Sequence, residues 1–166
     1  NRRAENCLME SEVFCVFSDM ERLHSYPNNF NEAWKHVLFN QFHDILAGTC
    51  IASAYEQIRD SYEYALTIGN ENMGHALQAI AWNINIEEEK GMLPVVLFNA
   101  HSHSARYPVE VEFQGNDNVT ELLDCNGNPV EFAVVPEESA AGRRTRIVFQ
   151  VSVPPMGYCV LRAYRE

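Results

Sequence analysis

Apolar residues recur at steps of three and four along the first half of the chain and at steps of two along the second. Ala4, Leu8, Val13, Phe14, Val16, Phe17 and Met20 predict a helix over residues 2–20, with Glu5, Glu12 and Asp19 among its polar positions. Ser25-Tyr26-Pro27-Asn28-Asn29 breaks that pattern, because proline disfavours helical backbone in the residue before it and asparagine favours turns. A second helix starts near Asn31, a suitable N-cap, and carries Trp34 through Leu46. Its expected buried face is Ala33, Trp34, Val37, Leu38, Phe42, Ile45 and Leu46. Gly48 predicts the helix end and Thr49 a cap for the next helical segment. Ile51, Tyr55, Ile58, Tyr62, Ala65, Gly69, Met73, Ala76 and Ile80 mark one extended helix, or two nearly collinear ones, which Gly69 and Gly74 can kink.

Glu87-Glu88-Glu89-Lys90-Gly91 reads as a solvated junction, after which the period changes to two. Leu93-Pro94-Val95-Val96-Leu97-Phe98-Asn99 is a short apolar strand. Val109, Val111 and Phe113 alternate with Glu110 and Glu112 as a half-buried one. Asn126-Gly127 signals a hairpin. Ile147, Phe149, Val151 and Val153 alternate again before Pro154-Pro155-Met156-Gly157 turns the chain into a closing strand. The expected fold class is an α+β multidomain fragment: a three-helix bundle over residues 1–90, then an antiparallel β-sandwich portion over 91–166 that sequence elsewhere completes.

The net charge of −11 argues against nucleic acid and anionic membranes as partners. No apolar run reaches the length of a membrane span, and no signal peptide is visible. The chain opens at Asn1 directly in helix-like sequence, as expected of a cut made inside a larger protein. Cys7, Cys15, Cys50, Cys125 and Cys159 are odd in number and widely spread, the pattern of a reduced intracellular set and hence a cytoplasmic address. Asn118-Val119-Thr120 fits the glycosylation sequon, which matters only in a secreted protein.

Candidate chemistry narrows to one pair. His36 and His43 stand two helical turns apart, roughly 10 Å along an axis and too far to share one metal. His101-Ser102-His103 permits chelation on an extended segment but has no carboxylate nearby and reads as a surface loop. His24 and His75 read as solvent-facing or packing residues. His43-Asp44 sits where an amphipathic helix meets a glycine, and two readings stay open there: a metal satisfies both side chains, or ordinary hydrogen bonds do. A catalytic zinc needs three or four ligands plus an open position. If the chain serves an enzyme, most of the active site lies outside it.

Asn1-Arg2-Arg3-Ala4-Glu5-Asn6, Glu32-Ala33-Trp34-Lys35 and Asn40-Gln41-Phe42-His43-Asp44-Ile45-Leu46-Ala47-Gly48-Thr49 resemble the middle helical domain of glycoside hydrolase family 38 α-mannosidases. Val95-Val96-Leu97-Phe98-Asn99-Ala100-His101-Ser102, Pro108-Val109-Glu110-Val111-Glu112 and Val151-Ser152-Val153-Pro154-Pro155-Met156-Gly157-Tyr158 look like the start of that family's C-terminal β domain. The resemblance implies a retaining exo-α-mannosidase with one Zn2+, or another divalent metal, per full-length protomer. In the family the metal is held by a His-x-Asp pair, a further Asp that is also the nucleophile, and a late histidine. Carried over, His43 is that late metal ligand and Asp44 the neighbour that binds substrate hydroxyls. The other ligands, the nucleophile and the general acid belong to an N-terminal catalytic domain with no match here, so this chain holds no catalytic residue and is expected to be inactive alone. The implied partners are a mannose-containing oligosaccharide and that missing domain; homo-oligomer formation is left open. Phe42 stands where many relatives have a second histidine, which points to the bacterial branch. Ala47 replaces a common proline, and Thr49-Cys50 a pair of small hydroxyl residues.

Two other classes compete. HD phosphohydrolases also use an adjacent His-Asp, but need further ligands from neighbouring helices, and Asp19, Asp60 and His75 supply no matching motif. A non-catalytic carbohydrate-binding or scaffold module would expose aromatics on a sheet face, for which Tyr107, Tyr158 and Tyr164 are the candidates.

Overall fold

The computed structural model describes residues 1–21, 29–114, 118–135 and 144–166. His24 and the 25–28 part of the expected break fall outside them. The fold is α+β and divides into two compact units, Asn1–Ile84 and Asn85–Glu166.

The first unit is helical: α1 (Arg2–Met20), α2 (Phe30–Phe39), the single turn α3 (His43–Leu46) and α4 (Ala52–Trp82). Both α1 and α2 pack along α4. The α1 limits match the spacing, but its buried face does not. Ala4, Cys7, Leu8, Ser11, Phe14, Cys15 and Ser18 face inward, while Val16 and Met20 are exposed. The cause lies on α4, whose buried positions are Ala65, Gly69, Asn72, Ala76 and Ala79. Small residues there let two backbones come close, so the crossing takes serine and cysteine from α1 and leaves no room for a second apolar row. A Cβ on Gly69 would stand 2.7 Å from Cys7 Sγ and 3.3 Å from Leu8 Cδ2. The Cys7 thiol donates to Asn70 Oδ1 at 3.4 Å and the Cys15 thiol to the Asn72 carbonyl at 3.7 Å. Burial pushes both thiols up, which suits packing groups and not nucleophiles. The third periodic segment is one helix, α4, unbroken at Gly69 and Gly74.

The second unit holds β1 (Met92–Asn99), β2 (Pro108–Gln114), β3 (Val119–Leu123), β4 (Phe132–Val135), β5 (Arg144–Gln150) and β6 (Gly157–Arg165). They form two antiparallel three-stranded sheets, ordered β1-β6-β3 and β2-β5-β4. The period-two residues meet across each ladder: Val95 opposite Leu161 in the first, Val109 opposite Phe149 and Val111 opposite Ile147 in the second. One core draws on both sheets, with Val95, Leu122, Leu161 and Ala163 from one and Phe113, Ile147 and Phe149 from the other.

The hairpin expected at Asn126-Gly127 is half right. A tight turn forms, with Gly127 at φ +80° and Asp124 Oδ1 accepting the N–H groups of Asn126 and Asn128 at 2.8 Å each. The strands on either side nevertheless join different sheets after one bridge between Leu123 and Pro129. Proline has no N–H with which to continue a ladder. His101 and His103 stack 5.3 Å apart on an exposed loop. The buried Asn99 side chain ties that loop down, donating to the His103 and Pro154 carbonyls.

Candidate functional site

The helix expected to run through Leu46 stops at Phe39. Asn40, 2% exposed, turns its side-chain amide back onto the His36 carbonyl at 2.9 Å. Gln41 and Phe42 then bond to carbonyls three residues back, at 3.1 and 3.4 Å, tightening the chain out of α-helical register. Phe42 is extended (φ −57°, ψ 142°), and its carbonyl accepts from Ile45 and Leu46 to start α3. The apolar spacing over 34–46 is continuous, so periodicity alone cannot reveal the break.

The break changes what is buried. Phe30, Ala33 and Val37 remain the inward face of α2, whereas Leu38, Phe42 and Leu46 are exposed instead of packed. His43 and Asp44 occupy the first two positions of α3 with side chains 77% and 55% exposed. They have not been buried beside an apolar face, so no desolvation cost demands a partner for them. His43 Nε2 and Asp44 Oδ2 are 3.6 Å apart, beyond hydrogen-bond range. The Phe42 ring lies 4.1 Å from the His43 ring at 47°. On the other side, the Asp44 carbonyl accepts the Thr49 N–H at 3.0 Å, and Thr49 Oγ1 stands 3.4 Å from Asp44 Oδ1. Gly48, at φ +72°, turns the chain between them.

The chain before the pair is anchored from two elements. Gln41 Nε2 donates to Glu5 Oε1 at 2.6 Å. The Tyr62 hydroxyl reaches Asn1 Oδ1 at 3.2 Å and the Asn40 carbonyl at 3.4 Å. Burial, then the nearby Glu5 charge, pushes the Tyr62 phenol up. Periodicity missed this cluster, because polar residues paired across 36 and 61 positions leave no periodic trace. A groove of about 510 Å3 beside it, lined by His36, Phe39, Asn40, Ile58 and Ser61 among others, does not include His43. His36 Nδ1 is engaged there with Ser61 Oγ at 2.7 Å.

Among the described residues, no three His, Cys, Asp or Glu side chains converge as a metal site. One exposed imidazole and one exposed carboxylate are a partial donor set of the nitrogen and oxygen type that zinc accepts. The remaining ligands would have to come from elsewhere.

Residues 1–80 match the family described as the α-mannosidase middle domain. No curated protein matches the chain. Among solved structures, an α-mannosidase from Enterococcus faecalis V583 aligns at a TM-score of 0.63 and 17% identity, over 96% of this chain and 21% of its own. A glycosyl hydrolase family 38 protein from Enterococcus faecalis aligns at 0.66 and 16%, over 99% and 24%. At such identity these likenesses establish shared fold. The chain spans about a fifth to a quarter of the length of these structures.

Proposed function

Residues 1–80 belong to the α-mannosidase middle-domain family, and from that premise we propose that the chain is part of a metal-dependent retaining exo-α-mannosidase. His43 is a ligand of its divalent metal, zinc or another, and Asp44 accepts hydrogen bonds from substrate hydroxyls. The observation that carries this reading is the exposure of both side chains on a turn within the matched residues. They are free to meet groups that this chain does not contain. The first unit is then the three-helix middle domain of the parent and the second a portion of its β-sandwich.

Retaining hydrolysis needs one carboxyl group to attack the anomeric carbon and a second to protonate the leaving oxygen. Both come from another domain on this reading, and the fragment alone is inactive. When bound, the metal supplies Lewis-acid stabilisation of developing charge. His43 contributes a neutral imidazole nitrogen, and Asp44, 3.6 Å from it, orients a sugar hydroxyl by accepting its hydrogen bond. Leu38, Phe39, Phe42, Leu46, Ile51 and Tyr55, in the stretch of chain that carries the pair, are exposed. Such apolar exposure supports a protein partner, here the catalytic domain of the same polypeptide. Among the described residues, no helix is long and apolar enough to cross a membrane.

A non-catalytic glycan-binding role draws on Tyr107 and Tyr158, which are 62% and 44% exposed. One experiment separates the two: hydrolysis of an aryl α-mannoside by the full-length parent, wild type against His43→Ala, with metal content measured on both. Joint loss of rate and metal is expected. Retention of both by His43→Ala would return the pair to a helix-end role, and an inactive wild type that binds glycans would favour the scaffold.

A further inference from the structure

Resting on that reading, we propose that the Gln41–Glu5 hydrogen bond is a positioning contact that holds His43 in place for its metal. No residue of α3 is fully buried, Ile45 being only half-buried, so packing alone does not fix where His43 stands. Its position is set by its two connections. On the C-terminal side that connection is the Thr49 contact with Asp44. On the N-terminal side it is the 40–42 break. Within that break Phe42 is exposed, and Asn40 bonds back to α2, the helix it terminates.

Gln41 alone reaches across by its side chain to a long helix, donating to Glu5 in the first turn of α1. The Glu5 side chain is 19% exposed, whereas Arg2, its ion-pair neighbour at 3.7 Å, is 87% exposed. The carboxylate therefore faces inward toward Gln41, and an amide-to-carboxylate bond of 2.6 Å is of the strong, charge-assisted kind. Asn1 and Tyr62 brace the same corner from the start of α1 and from α4. A ligand two residues from such an anchor inherits its rigidity, and sites carried on rigid elements hold their ligands best.

The test is metal affinity of the full-length parent, measured with zinc against a competing chelator, with melting temperature recorded for each variant. Gln41→Glu sets two carboxylates against each other, and a loss of roughly 10–100-fold in affinity is expected, as for other residues that orient a ligand. Combining it with Glu5→Gln restores an amide–carboxylate pair in swapped order and should recover most of the affinity. Gln41→Ala removes the donor without adding charge, and reads the same loss at smaller size if Gln41→Glu does not fold. Should Gln41→Glu and Gln41→Ala lower the melting temperature while affinity stays unchanged, the contact is structural only and the inference falls. A swap that restores melting but not affinity overturns it too. His43→Ala in the same assay separates the two levels: if it leaves affinity untouched, the metal role of His43 fails and this inference with it. If His43→Ala abolishes binding while the Gln41 variants do not, only the positioning role fails.

Discussion

Gly127 carries a turn at φ +80° with open space where a Cβ would lie. Its substitution therefore tests backbone conformation with little contribution from packing. Gly127→Ala should cost about 1–2 kcal/mol, the price of left-handed backbone for an L-residue, read as a lower urea midpoint with an unchanged slope. Asp124 in the same turn titrates in a predictable sense. The Asn128 N–H foremost, with the Asn126 N–H beside it, holds its carboxyl below the usual carboxylate range. A depressed folded value means the contribution is present above the unfolded pKa of about 3.9 and is lost as pH falls through the folded one. Asp124→Ala should thus lower the midpoint at neutral pH and flatten its fall below about pH 4. At this scale, adjacent residue types were legible in the sequence: His43-Asp44 and Asn126-Gly127 both announced themselves. The Glu5–Gln41 and Asn1–Tyr62 pairs were not, since each joins polar residues far apart in the chain whose proximity exists only after the helices pack. Asn1, Glu5 and Gln41 nevertheless lie in the stretches that carried the family resemblance, which the middle-domain match supports.

Helix limits followed from spacing for α1 and α4, and strand limits from a short apolar run for β1 and from alternation for β2. The α1 face did not, because a close crossing selects small side chains and inverts the usual sign: Ser11, Ser18 and Cys15 go in while Val16 and Met20 stay out. Gly69→Ala measures how tight that crossing is. Alanine gains about 1 kcal/mol of helix propensity over glycine, but its Cβ meets Cys7 Sγ at 2.7 Å and the Cys7 carbonyl carbon at 3.6 Å. Overpacking of this kind costs roughly 1–3 kcal/mol. The net effect should be destabilising, and Cys7→Ala in the same chain should recover part of it by removing the sulfur. Denaturant melts of the two singles and the double give the coupling directly; additive effects would show that the helices separate freely. The 40–42 break was hidden for the opposite reason. An apolar pattern that continues across it looks like one buried face. The break shows only once the chain is folded, with the buried Asn40 amide bonded back to α2 and its carbonyl taken by Tyr62.

At the scale of the whole molecule, the same misread pattern becomes informative. Of the apolar residues that spacing assigned to a buried helix face, Ala33 and Val37 are buried within this chain, whereas Leu38, Phe42 and Leu46 are exposed here, as is Phe39 outside that face. On the proposed reading these exposed residues are covered in the parent. Phe39 is 79% exposed and Leu46 57%, and the solved relatives are four to five times longer than the residues aligned here. Replacing both with serine therefore separates two surroundings. In the 166-residue chain the change should move stability by no more than about 0.5 kcal/mol, as for exposed positions generally. In the full-length parent, if the proposed catalytic domain covers them, each substitution should cost about 1.5–3 kcal/mol, the worth of a fully buried large apolar side chain. Parallel melts of the two proteins decide the matter. Equal, small effects in both would mean that these residues face solvent in the parent as well, and the surroundings of His43 would then have to be built by some other surface.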